Sequence, residues 1–265
     1  ELARAGVKGW QLPPWLPAFL YADTEDTTRR GPSGARIETT FRGGDHMAEW
    51  TLYEGDCLEV MRQLPDNSVD AVVTDPPYMI GAISVGNPRT KAGTWADMEN
   101  AAFWFSAWMR ECKRLLKSTG YLLVFGNWRS IPTLIRALSL AELSATSCMI
   151  WDKLWIGPCG PAQLRPRYEI VMFAAMPQAR IEDRSAPDIL AYKWQAGNMK
   201  TTKHPAEKPV DLLKQLIELV THPGEIVLDP FAGSGTTLVA AFKTGRNAIG
   251  IEREPEYCEI IRKRM

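Results

Sequence analysis

The run VVTDPPYMIG, residues 72–81, passes from an apolar stretch into Asp75, Pro76, Pro77 and Tyr78. Proline fixes its own φ and has no N–H, and a residue before proline is held extended. Asp75-Pro76-Pro77 is therefore a stiff, non-helical exit that holds an acid in one place. A second constellation lies near the other end, EIVLDPFAGSGTTLVAA, residues 225–241. Its glycine-rich turn falls between strand-like and helix-like segments, where open α/β sheets bind ligands. Gly233 and Gly235 permit close backbone approach. A dinucleotide fingerprint needs a small residue at position 238, which is Leu238, so a tight pyrophosphate turn and NAD are disfavoured. Glu252 closes the next strand-like run 17 residues after Gly235, about where a carboxylate takes the two hydroxyls of a ribose. Together these features fit an adenosine-containing ligand without a diphosphate. The bland alternative is a packing turn beside a solvated glutamate.

These residues need a scaffold, and from Trp50 onward strand-like runs alternate with helical patterns, the signature of βαβ units around a mostly parallel sheet. WTLYEGD, VDAVVTD, YLLVF, TSCMIWDK, YEIVMFAAM, EIVLD and NAIGIE read as strands. CLEVMRQL, a long stretch around Met98 to Lys117, IPTLIRALSLA, PVDLLKQLIELV, the segment closed by Gly245, and PEYCEIIRKR read as helices. Residues 1–46, with QLPPWLP, TRRGPSG and RGGD, break every periodic pattern and are expected to be an irregular extension.

A chain of 265 residues with 45 % apolar and 23 % charged content can bury one large α/β core. Its five cysteines are scattered, with no C-x-x-C and only three histidines, so neither a disulfide framework nor a metal site is encoded. The apolar runs are shorter than a membrane span and the start lacks a signal-peptide core, so a cytoplasmic protein is expected. Residues 154–203 hold seven basic and four acidic side chains, a local excess of +3 that suits phosphate contacts, with Trp155, Tyr192 and Trp194 as stacking or wedge groups. An ordinary solvated loop with packed aromatics is the alternative.

DPFAGSGTT together with TDPPY resembles the S-adenosylmethionine-dependent DNA amino-methyltransferases. The order, DPPY first and FAGSGT near the end, resembles their β subclass. GDCLEVMRQLPDNSVDAVVTDPPY, MIWDK, RPRYEIVMF and HPAEKPVDLLKQLI are similar stretches, and the likeness covers roughly residues 50–265. It implies a Rossmann-like class I methyltransferase fold over residues 47–265. The sheet would be mostly parallel, with an antiparallel edge hairpin, a circularly permuted motif order and a target-recognition insert at 154–203. The strands ending at Asp75 and Asp229 should then lie side by side at the topological switch point.

The resemblance also implies roles. The Asp75 carboxylate and the Pro76 carbonyl, stiffened by Pro77, would accept the two hydrogens of an exocyclic amine. Its lone pair would then point at the sulfonium methyl, with Tyr78 stacked on the flipped-out base. Asp56 and Cys57 would bind the adenine end of S-adenosylmethionine, Phe231 would pack on it, and Glu252 would take the ribose. Asp75, Asp229, Ala232 and Gly235 complete that set with Gly233, and Ser234, Thr236, Thr237 and Lys208 would hold the methionine carboxylate. Arg89, Lys91, Arg165, Arg167, Lys193 and Lys200 would contact double-stranded DNA. The acid at position 75 favours adenine N6 as the target. Cytosine N4, an RNA substrate and a silent DNA-binding subunit are the competing expectations, and a homodimer is compatible with the likeness.

Overall fold

The computed structural model of the chain describes residues 29–30, 36–41, 48–77, 98–157, 159, 161–162, 164–194 and 207–265. The strands are β1 (Arg29–Arg30), β2 (Arg36–Phe41), β3 (Glu49–Glu54), β4 (Val69–Thr74), β5 (Leu116–Gly126), β6 (Ala145–Asp152), β7 (Tyr168–Ala175), β8 (Ile189–Ala191), β9 (Ile226–Asp229) and β10 (Asn247–Glu252). They form one sheet in the order β1-β2-β3-β10-β9-β4-β5-β7-β6-β8. The five central strands, β3 to β5 in that order, are parallel. On one side β7 and β6 run antiparallel, and on the other β2 pairs antiparallel with β3.

This is the Rossmann-like sheet expected, with two refinements. The short β8 adds to β6 in parallel beyond the β6–β7 hairpin, so the hairpin is not the edge. Residues 36–41 and 29–30 are strands, which corrects the expectation that all of 1–46 is irregular. RIETTF carries β-branched and aromatic residues, and β3 offers it a free edge to pair with.

Two helical layers cover the sheet. Helices α1 (Cys57–Met61), α2 (Met98–Leu115) and α3 (Ile131–Leu140) share one buried cluster with Val72 of β4. Helices α4 (Val210–Val220), α5 (Thr236–Lys243) and α6 (Pro255–Arg264) share the other with Ala71 and Val73. All six residues of β4 are buried, as an apolar strand covered on both faces must be. In α4, Leu212, Leu213, Leu216 and Ile217 recur at helical spacing and are fully buried. Each such side chain contributes about 2 kcal/mol of transfer free energy. Among the described residues no helix is long and apolar enough to cross a membrane.

The strand order carries the functional consequence. From β9 the chain crosses through α5 to β10 on one side, while from β4 it crosses through α2 to β5 on the other. The chain therefore turns away in opposite directions from the β4–β9 seam. Crevices at such reversals, at the carboxyl ends of the strands, are where this architecture takes ligands.

Candidate active site

A cleft of about 520 Å³ opens at that seam. Asp56, Cys57, Asp75, Lys208, Asp229, Phe231, Ala232, Gly233, Ser234, Thr236, Thr237 and Glu252 all border it, as do Pro76 and Pro77. Gly235 does not. It caps α5 with a φ of 77°, and an added Cβ would come within 2.9 Å of the Ile261 side chain. Its lack of a side chain serves the turn and the packing of α5 on α6. Tyr78, Arg89, Lys91 and Lys200 lie outside the described residues.

Each wall follows from local sequence. Asp56 caps α1, its carboxylate accepting the Leu58 N–H at 2.9 Å. Burial, helped by Asp56, pushes the Cys57 thiol up to about 12, so it stays neutral. Glu252 is held by two backbone amides, those of Gly233 and Glu254, each at 2.8 Å. Burial raises its pKa above the usual carboxylate range. Gly233 has a φ of 51°, which presents its N–H to that carboxylate. The Phe231 ring meets Trp104 and Trp108 at centroid distances of 5.7 and 5.3 Å, forming an aromatic wall.

The opposite wall carries charge. The Lys208 ammonium is bonded to the Asp75 carboxylate and lies 3.2 Å from Glu169, over the Phe125 ring. Burial opposes its charge, yet Asp75 and Glu169 together raise its pKa above the ordinary lysine value. Glu169 lies 3.4 Å from Lys153 as well. Burial alone would raise its pKa, but the two lysines hold it below the usual value. Lys153, Glu169, Lys208 and Asp75 thus form a chain of alternating charge that ends on the DPP segment. Lys208 is drawn to two acids here, where the sequence suggested a partner in the cofactor carboxylate. Asp229 is buried between the walls and its pKa is raised to about 6, although Thr237, Thr74 and the Phe231 amide bond it.

Sequence reasoning missed Trp104, Trp108, Phe125 and Glu169. The two tryptophans stand four residues apart on α2 in FWFSAWM, a stripe that reads only as core. Glu169 was visible as one acid entering the apolar strand EIVMF.

The expected DNA contacts are dispersed. Arg167 makes a two-pronged pair with Asp152 at 2.7 and 2.6 Å, and Arg165 donates to the Gly157 and Ile156 carbonyls. Lys193 is exposed. Trp155 and Trp194 stack on each other at 4.6 Å, and the Tyr192 hydroxyl donates to Gln215. Among the described residues no cluster of His, Cys, Asp and Glu could hold a metal.

A sheet with this order, a glycine loop at its switch point and an acid-Pro-Pro exit on the adjoining strand is the class I methyltransferase arrangement. The family model described as DNA methylase, of the N6/N4 type, matches residues 69–263. YubD of Escherichia coli (strain K12) is 37 % identical over 204 residues, covering 77 % of this chain and 85 % of that protein. The type II methyltransferase M2.MboI of Moraxella bovis is 28 % identical over 256 residues, covering 86 % and 91 %. The crystal structure of the M1.HpyAVI–SAM complex superposes with a TM-score of 0.63 at 27 % identity, over 80 % of this chain and 97 % of that one. The chain belongs to the N6/N4 DNA methylase family and is an S-adenosylmethionine-dependent DNA methyltransferase.

Proposed function

We propose that the enzyme methylates the N6 amine of adenine in double-stranded DNA, and that residues 47–265 form its catalytic domain. The observation that carries this reading is the Asp75–Lys208 pair facing the glycine loop across one cleft. The exocyclic amine is a weak nucleophile because its lone pair is delocalised into the ring. Asp75 and the Pro76 carbonyl accept its two hydrogens and draw the nitrogen toward tetrahedral geometry. Lys208 holds the Asp75 carboxylate in place by an ion pair, and the stiff Pro76-Pro77 backbone keeps both acceptors in register. Tyr78 stacks on the extruded base.

Bound S-adenosylmethionine supplies an electrophilic methyl on sulfur. The residues present fit it. Phe231 and Trp104 offer a face for its adenine, Asp56 an acceptor for the adenine amine, Glu252 an acceptor for the ribose. The α5 N-terminus with Ser234, Thr236 and Thr237 suits its carboxylate. Methylation would leave the amine nitrogen cationic, and Asp75, which accepts one of its hydrogens, stands where the surplus proton would leave. Lys193, exposed in the segment 154–203, and the segment with Arg89 and Lys91 supply the DNA contacts. A tritiated-methyl assay with DNA, RNA and protein side by side tests the substrate class. Nucleoside digestion and mass spectrometry then test the base. N6-methyldeoxyadenosine is expected, and N4-methyldeoxycytidine as sole product would overturn the assignment of the base.

A further inference from the structure

We infer that Arg264 is a positioning residue for methyl transfer, holding the cofactor loop and the Lys208–Asp75 pair in one register. The inference rests on the reading of the cleft as the methyl-transfer site. Arg264 ends α6, and its guanidinium donates in two directions. One nitrogen reaches the Ser234 carbonyl at 2.7 Å and the Thr236 hydroxyl at 3.2 Å, while the other reaches the Glu207 carboxylate at 3.1 Å. Ser234 and Thr236 border the cleft on the glycine-loop side. Glu207 is 1 % exposed and is the chain neighbour of Lys208, which borders the cleft on the Asp75 side. One planar group therefore spans the two walls from behind.

A buried ion pair is weak evidence of a stabilising role, because an apolar pair of similar volume often serves stability as well. What a guanidinium adds is a rigid fork with several donors, which fixes the angle between the groups it bonds. Anchoring Glu207 fixes the backbone from which Lys208 reaches Asp75, ahead of the α4 N-cap at Pro209. On the other side, Arg264 donates to the Ser234 carbonyl and to the Thr236 hydroxyl, which itself lies 3.0 Å from the Ser234 hydroxyl, so one guanidinium nitrogen ties down the turn that borders the cleft.

The test uses the full chain, with S-adenosylmethionine affinity read by calorimetry and methyl transfer read at saturating cofactor. Arg264→Met combined with Glu207→Gln removes both charges, so neither is left buried alone. If Arg264 positions the site, this variant keeps its circular dichroism, binds S-adenosylmethionine at least tenfold more weakly and transfers methyl at least tenfold more slowly. Arg264→Lys keeps the charge against Glu207 but cannot span both walls, and it should lose several-fold in affinity. Affinity and transfer within twofold of the unaltered protein in either folded variant would reduce Arg264 to a stabilising contact. Should the double variant fail to fold, the lysine variant decides by the same measure. An unaltered protein that binds S-adenosylmethionine yet methylates no DNA would overturn the proposed function, while the affinity comparison would still stand.

Discussion

The Thr74 hydroxyl donates to the Asp229 carboxylate at 2.7 Å, joining side chains 155 positions apart in sequence. Strands β4 and β9 share only the pairs Ala71–Val227 and Val72–Leu228, so this bond is a further tie on the cleft side of the seam. At the other end Asp70 accepts the Ile226 N–H at 2.9 Å and the Lys117 ammonium at 2.8 Å. Carboxylates clasp the seam at both ends. Because Thr74 precedes Asp75 and Asp229 also accepts the Phe231 N–H at 3.0 Å, the same clasp sets the target acid against the cofactor turn.

Asp229 makes stability depend on pH. Its folded-state pKa of about 6 lies above the usual carboxylate value, because burial favours the neutral form. The folded state holds this proton more tightly than the unfolded chain does. Its contribution is therefore fully present below about pH 4 and is lost as pH rises through about 6, a change of about 3 kcal/mol. Asp229→Asn keeps an oxygen for Thr74 and Phe231 but does not ionise. In urea unfolding at a series of pH values, the variant should gain on the unaltered protein between pH 4 and 7 and hold a constant difference above that. Parallel profiles throughout would refute the assignment.

Lys208→Met leaves Asp75 and Glu169 facing each other without their shared cation. Loss of one partner in a buried pair destabilises by about 3–5 kcal/mol. If Lys208 serves Asp75, methyl transfer should fall by roughly two orders of magnitude while S-adenosylmethionine affinity changes less than threefold. A large loss of cofactor affinity in folded protein would return Lys208 to the cofactor carboxylate.

Gly233→Val places a branched side chain at a φ of 51° on the cleft wall. An L residue there is strained by about 1–2 kcal/mol, and its side chain intrudes where the ligand must approach. Calorimetry should show at least a tenfold loss of S-adenosylmethionine affinity, with the circular dichroism spectrum retained. Unchanged affinity would mean that the loop serves packing alone.

Much of the site was legible because its residues break local rules. An acid before two prolines, and glycines between a strand and a helix, conflict with ordinary element chemistry and so announce themselves. The same holds for the strands VDAVVTD and EIVLD, whose continuous apolar runs imply burial on both faces. What could not be read depends on tertiary contact. Lys208 meets Asp75 from 133 positions away, and no spacing rule links them. Trp104 and Trp108 look like core until Phe231 is packed against them. The pairing of residues 36–41 with β3 depends on an edge that exists only in the folded sheet. Arg165 and Arg167 looked like phosphate contacts from charge alone, whereas the fold directs them to nearby carbonyls and Asp152.

Asp75→Ala tests the central claim most directly, with methyl transfer to DNA and calorimetric binding of S-adenosylmethionine measured on the same folded preparation. Since Asp75 is assigned to the target amine and the glycine loop to the cofactor, transfer should fall by at least about three orders of magnitude while cofactor affinity stays within a few-fold. Retained transfer, or equal loss of transfer and cofactor binding, would contradict the division of the cleft into a target side and a cofactor side.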